Sequence, residues 1–200
     1  MSNIHSVEKI GGTSMAATAT LFDNVLIAGR KGADLYNRIF VVSAYAGMTD
    51  LLLEHKKSGD AGVYARFVAD DDATGWRQAM DTVRRAMRDH NATMFVRADR
   101  LAEANAFVDM RIDAVAACLD DLARLRSHGR FCVKEQLMTV RELLAGLGEA
   151  HSAHSTALLP PPGDQVSNSV GSAGSDTSNR VALVPVVMPS PVASWPIPRI

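Results

Sequence analysis

Val7-Glu8-Lys9-Ile10-Gly11-Gly12-Thr13-Ser14-Met15 is the stretch on which the fold turns. Val7 to Ile10 mixes apolar and charged residues as a strand edge would, which predicts a short strand. Gly11 and Gly12 carry no Cβ, so the backbone there can turn tightly and approach a ligand closely. Thr13 and Ser14 are good N-cap residues, and the run behind them predicts a helix. A strand, a glycine turn and a helix N-terminus bring unpaired N–H groups and a positive dipole end together, which suits an anion. Lys9 adds a mobile positive charge beside the turn. The same spacing also fits an ordinary strand-to-helix turn, and a short motif alone does not separate the two readings.

Outward from that turn, Met15 to Gly29 reads as a helix with Leu21, Phe22, Val25 and Leu26 on one face, followed by a loop to Asn37. Arg38 to Ala44 is a β-rich apolar run of the kind buried in parallel sheets. Gly47 to Glu54 begins a second helix, led by Thr49 and carrying Leu51, Leu52 and Leu53. Strand, helix, strand, helix predicts an α/β sandwich with a largely parallel sheet. Beyond it, Trp76, Met80, Val83 and Met87 recur at helical spacing. Asn91 to Val96 reads as a break. A long helix is expected from Arg100 to Ser127, with Leu101, Val108, Ile112, Val115, Leu119 and Leu122 inward. Gly129 interrupts it, and a further helix runs from Val133 to Leu159 on Leu137, Val140, Leu144 and Leu147. Met80, Met87 and Met110 read as core. No internal repeat is present.

The 21 basic and 22 acidic residues leave a net charge of -1, so no global field favours nucleic acid or a membrane surface. Any phosphate site must be local. Cys118 and Cys132 form no metal-ligand spacing and fit a reduced compartment. Met1 to His5 lacks the pattern of a signal peptide, and Val181 to Met188 is too short to span a bilayer. The expected location is cytoplasmic. Composition breaks near residue 160: all 8 prolines lie from Pro160 onward. The expected organisation is therefore a folded part over 1–159 and a Pro/Ser-rich, disordered tail over 160–200.

Two more stretches bear on chemistry. Val41-Val42-Ser43-Ala44-Tyr45-Ala46-Gly47-Met48-Thr49-Asp50 ends the second expected strand, where ligands gather in open α/β sheets. A buried strand running into an N-capped helix accounts for it equally well. Thr139-Val140-Arg141-Glu142-Leu143-Leu144-Ala145-Gly146-Leu147-Gly148-Glu149-Ala150-His151-Ser152 is helical in period but holds two glycines, each costing about 1 kcal/mol relative to alanine. Such glycines need a packing or ligand reason. Glu149 lies at the edge of the apolar face, as a solvated glutamate also would. His151 and His154 are near neighbours on the helix. They lack the His-Glu-x-x-His metal pattern and read as satisfying local hydrogen bonds.

Lys9-Ile10-Gly11-Gly12-Thr13-Ser14 resembles the opening motif of the aspartokinases, members of the amino-acid kinase family. The other two stretches resemble that family's second-strand segment and its Gly-Glu helix, in the same order. Leu51 to Gly59 and Gly148-Glu149-Ala150-His151-Ser152-Ala153-His154 look like the form associated with ectoine biosynthesis. The resemblance runs from Val7 to Leu159. Ala46 stands where the family commonly has glycine.

The resemblance implies a three-layer αβα sandwich of the amino-acid kinase (carbamate kinase-like) type. It implies transfer of a phosphoryl group from ATP, with Mg²⁺ bridging phosphate oxygens, to the side-chain carboxylate of L-aspartate. Lys9 would neutralise phosphate charge, with Gly11, Gly12, Thr13, Ser14 and Ser43 around ATP and its phosphates. Thr49 and Glu149 would bind aspartate. The Thr13-Ser14 pair and the Gly148-Glu149 helix favour aspartate over another carboxylate substrate.

The family's second half carries a nucleotide loop and a carboxylate-binding arginine, and neither is recognisable here; Ser172 to Thr177 echoes the loop only faintly. The expectation is a truncated site with little or no activity, and the change at Pro160 fits a frameshift testable in the other two reading frames. The competing expectation is a non-catalytic piece acting through a homo-oligomer or a longer kinase chain.

Overall fold

The computed structural model describes residues 6–15, 28–30, 38–69, 74–128 and 134–159. The expected helix after Met15, most of the loop to Asn37, Gly129 and the tail over 160–200 lie outside the described residues.

Among the described residues two strands form a sheet. β1 (Ser6–Ile10) and β2 (Arg38–Val42) pair in parallel, Ser6 opposite Arg38 and Ile10 opposite Val42. Between them comes the one-turn helix α1 (Gly12–Met15). In β1 Ile10 is buried, while Lys9 and the apolar Val7 are exposed on the opposite face. Glu8 faces Arg38 across the pair: Arg38 Nε donates to Glu8 Oε1 at 2.7 Å and Nη2 to Oε2 at 2.5 Å. Arg38 is only 3% exposed and also lies over the Phe40 ring. Its guanidinium holds the Glu8 carboxyl down to about 2. A two-pronged contact of this kind sets strand register as well as charge.

The other named elements among the described residues are helices. α2 (Met48–Leu52) follows β2, then α3 (Val63–Ala69), α4 (Gly75–Met94), α5 (Ala98–Ser127) and α6 (Lys134–Ala157). The spacing of Trp76, Met80, Val83 and Met87 predicted the buried face of α4, and all four are buried. They pack with Val108, Ile112, Val115 and Leu119 of α5, and with Val140, Leu144 and Leu147 of α6, in one core that includes Phe40, Met48 and Leu52. Arg84 bridges α4 to Asp109 and Asp113 of α5, and Arg88 reaches Asp109. Arg126 of α5 donates to the carbonyls of Phe67 and Val68, capping the C-terminal end of α3.

Several expectations need correction. The described sheet has two strands, so the fold is mixed α/β and mostly helical. α1 begins at Gly12, so Thr13 and Ser14 sit inside its first turn, and the Gly11 carbonyl accepts the Met15 N–H instead. Likewise α2 begins at Met48 behind Gly47, not at a Thr49 cap. The break expected from Asn91 falls at Phe95–Arg97, because Asn91 uses its side chain in tertiary bonds rather than competing with its own helix. Met110 is 57% exposed rather than core. It lies two positions from both Val108 and Ile112, which carry it off the inward stripe.

Candidate functional site

The parallel pairing brings the first two motifs to the same end of the sheet. Chain leaving β1 enters the Gly11–Gly12 turn, and chain leaving β2 enters Ser43–Thr49. The Ser43 N–H donates to the Ile10 carbonyl at 3.0 Å, joining the two exits. A Cβ placed on Gly12 would stand 3.2 Å from the Ala44 carbonyl oxygen, a tight approach that glycine relieves. Nothing lies within 4 Å of a Cβ on Gly11, which opens outward.

The turn before α2 places its left-handed residue at Gly47, with φ 83°. Glycine occupies that conformation without strain. Ala46 is not a left-handed residue, so alanine is compatible with this turn.

The third motif packs onto the second. A Cβ on Gly148 of α6 would lie 3.0 Å from Leu52 Cδ1 and 3.1 Å from Ala44 Cβ. This is the packing reason for a glycine inside a helix. One turn on, the Ser152 hydroxyl accepts the Tyr45 N–H at 2.9 Å and donates to the Gly148 carbonyl at 3.1 Å. Tyr45 is buried, with its hydroxyl 3.3 Å from Thr156 Oγ1 and from Met94 Sδ. Burial pushes that phenol up to about 12.

Around this crossing the expected site residues divide by exposure. Lys9, Thr13, Ser14 and Glu149 are exposed, while Gly11, Gly12, Ser43 and Thr49 are half-buried. Ala44 is the common neighbour of Gly12 and Gly148, and Ser43 beside it bonds the Ile10 carbonyl. Lys9 stands on β1 and Glu149 on α6, with no hydrogen bond joining them. His151 Nε2 lies 2.9 Å from Asn91 Oδ1, and His154 stacks on Phe107 at 3.8 Å.

Sequence reasoning missed Tyr45, Ser152 and Asn91, which tie the motifs together. The available signal was a run of small polar residues, Ser152, Ser155 and Thr156, on a helix face that is otherwise apolar. Among the described residues no three His, Cys, Asp or Glu side chains are placed to hold a metal ion. Magnesium commonly rides on nucleotide phosphates and water rather than in a protein cage. The exposed Lys9 and the open glycine turn fit a phosphate group, whose oxygens would carry such an ion.

Two parallel strands leave side by side through glycine-bearing turns, crossed by a helix, and in open α/β sheets the carboxyl ends of the strands are where ligands commonly gather. Over 155 residues the chain is 51% identical to "Aspartate kinase Ask_Ect" of Stutzerimonas stutzeri (strain A1501), covering 78% of this chain and 33% of that protein. The resemblance to the aspartokinases read from the three motifs is thereby shown, and the chain spans about a third of that relative's length. No family model and no solved structure matches the chain. No helix among the described residues is long and apolar enough to cross a membrane.

Proposed function

We propose that the chain carries part of the site of an aspartate kinase. In that reaction an oxygen of the L-aspartate side-chain carboxylate attacks the γ-phosphorus of ATP, ADP leaves, and 4-phospho-L-aspartate forms. The observation that supports this reading most is the meeting of three motifs, far apart in sequence, at one end of a parallel strand pair. ATP with Mg²⁺ supplies the phosphoryl group, and little covalent chemistry falls to the protein. Lys9 neutralises charge on the phosphates, and the Gly11–Ser14 turn offers backbone N–H groups and two hydroxyls. Ser43 lies near the transferring group, while Thr49 and the Glu149 carboxylate hold aspartate. In a complete enzyme β1 and β2 belong to a three-layer αβα sandwich, with 1–159 as the N-terminal part of the catalytic domain and 160–200 as an appended tail. The location is the cytoplasm, and the pathway is that of aspartate-family amino acids or ectoine.

The chain spans about a third of the length of the aspartate kinase it matches, and by itself it is expected to turn over weakly or not at all. The test is aspartate-dependent ADP release by the purified chain, with Lys9→Ala as control. Turnover abolished by Lys9→Ala confirms the site and refutes the need for the missing part. No turnover, together with no aspartate- or ATP-dependent change in the amide NMR spectrum, refutes the site. A second reading, a piece that works through a partner kinase chain, is favoured by Val7. It is 67% exposed on a parallel sheet, a type of sheet ordinarily covered on both faces. Co-purification with a full-length aspartate kinase tests it.

A further inference from the structure

Three histidines that the phosphoryl-transfer reading does not use lie together behind the Ser43–Thr49 loop. His90 comes from α4, and His151 and His154 from α6. Tyr45, at the centre of the loop, has its ring 3.8 Å from that of His90 and 5.3 Å edge-on from that of His151, and the two imidazoles are 6.0 Å apart. Each histidine has one ring nitrogen that is buried and has no hydrogen-bond partner: His90 Nε2, His151 Nδ1 and His154 Nε2.

The hydrogen-bond pattern fixes the neutral form of His151, which is 1% exposed. Asn91 Oδ1 accepts from Ser155 Oγ at 2.9 Å and faces His151 Nε2 at 2.9 Å, while Asn91 Nδ2 donates to Asn105. An acceptor opposite Nε2 makes it the N–H and leaves Nδ1 as a bare lone pair, since a neutral imidazole has one of each. A second proton would arrive at Nδ1, where no acceptor waits for it. A buried charge without such a partner is strongly disfavoured.

The surroundings add little to offset that. α4 contributes His90 and Asn91, and α6 contributes Ser152, Ser155 and Thr156. α5 contributes Phe107, Asn105 and Glu103, whose carboxylate favours charge on His154. The loop contributes the neutral Tyr45 phenol. No carboxylate among the described residues favours charge on His90 or His151, and the other two histidines oppose charge on His151. Burial holds all three imidazoles below the usual histidine range, His151 at about 3.

We propose that the His90–His151–His154 cluster is an acid-sensitive latch on the Ser43–Thr49 loop. Neutral, it packs Tyr45 and keeps α6 against the loop. Protonated, it takes on water and lets Tyr45 go, and Ser43 and Thr49 lose their placement with it. Release precedes unfolding of α4 and α5, which the Arg84 and Arg88 pairs with Asp109 and Asp113 hold together. The window lies between about pH 6.5 and about pH 4, where histidine gains protons and aspartate does not. That the freed loop is a substrate loop rests on the aspartate kinase reading, but the latch does not.

The test follows amide NMR signals of Ser43–Thr49 and far-UV ellipticity of the full chain from about pH 8 to about pH 4.5. The Tyr45 signal is expected to move within that window while helical ellipticity holds. His151→Gln keeps a side-chain N–H for Asn91 but has no proton to gain, and it should shift the loop transition about one pH unit lower. If that variant fails to fold, His90→Gln serves in its place. The latch is overturned by loop and helix signals that change together, by an unmoved Tyr45 signal, or by an unchanged transition in the folded variant. Aspartate added near pH 8 probes the kinase reading separately, and a null result there leaves the latch standing.

Discussion

Replacing Gly148 with alanine sets two effects of known size against each other. A helix-interior glycine costs about 1 kcal/mol relative to alanine, so on propensity alone Gly148→Ala stabilises by about that much. The new methyl, however, would stand 3.0 Å from Leu52 Cδ1 and 3.1 Å from Ala44 Cβ. Leu52 is fully buried, which limits how far its flexible end can retreat. Ala44 Cβ has no rotor and moves only with its backbone. Overpacking of this kind costs roughly 1–3 kcal/mol, so the net effect is a loss of about 0–2 kcal/mol. The more telling consequence is geometric. Ala44 lies between Ser43 and Tyr45, so the strain is relieved by moving the loop or by lifting α6 off it. Urea unfolding gives the stability, and amide NMR signals of residues 43–49 give the displacement. A variant stabilised by about 1 kcal/mol with those signals unmoved would refute the close-packing account of this glycine.

Other perturbations probe the frame around the site. Glu8→Gln removes the charge opposite buried Arg38 and should destabilise by about 1–3 kcal/mol, less than a fully enclosed pair because water reaches Glu8. The Glu8 carboxyl is depressed, so its stabilisation is complete above about pH 4.5 and is lost as pH falls toward about 2; the variant should show none of that dependence in acid titrations followed by ellipticity. Asn91→Ala strips partners from His151, Ser155 and Asn105 at once and should cost about 2–4 kcal/mol in urea unfolding, whereas Ala92→Gly, on the exposed side of α4, should cost about 1 kcal/mol.

The sequence carried the helices well where apolar spacing was long and regular. Trp76 to Met87 and Val108 to Leu119 gave α4 and α5 their buried faces. α3 escaped because seven residues span two turns, and only Val63 and Phe67 hold a buried i, i+4 position there. Both strands were legible, β1 from its mixed edge-like residues before the glycine turn and β2 from its apolar run, and so was the place where they end. The tie between motifs was not legible, since a hydrogen bond from a loop amide to a distant serine leaves no period in a sequence. Met110 misled because a methionine says nothing about its side of a helix until the neighbouring Val108 and Ile112 fix the stripe.

The bond between the Tyr45 amide and the Ser152 hydroxyl joins residues 107 positions apart. Closing so long a loop is entropically slow to be rewarded, so contacts of this kind form late in folding. The Ser43–Thr49 loop leaves the ribosome early, before the helix that positions it has been synthesised. During that interval the nascent chain holds a strand pair and helices without the helix that fixes the loop. The crossing of loop and helix therefore forms in one step, when α6 docks, and a chain stopped before Ser152 would keep much of its helix while lacking that tie.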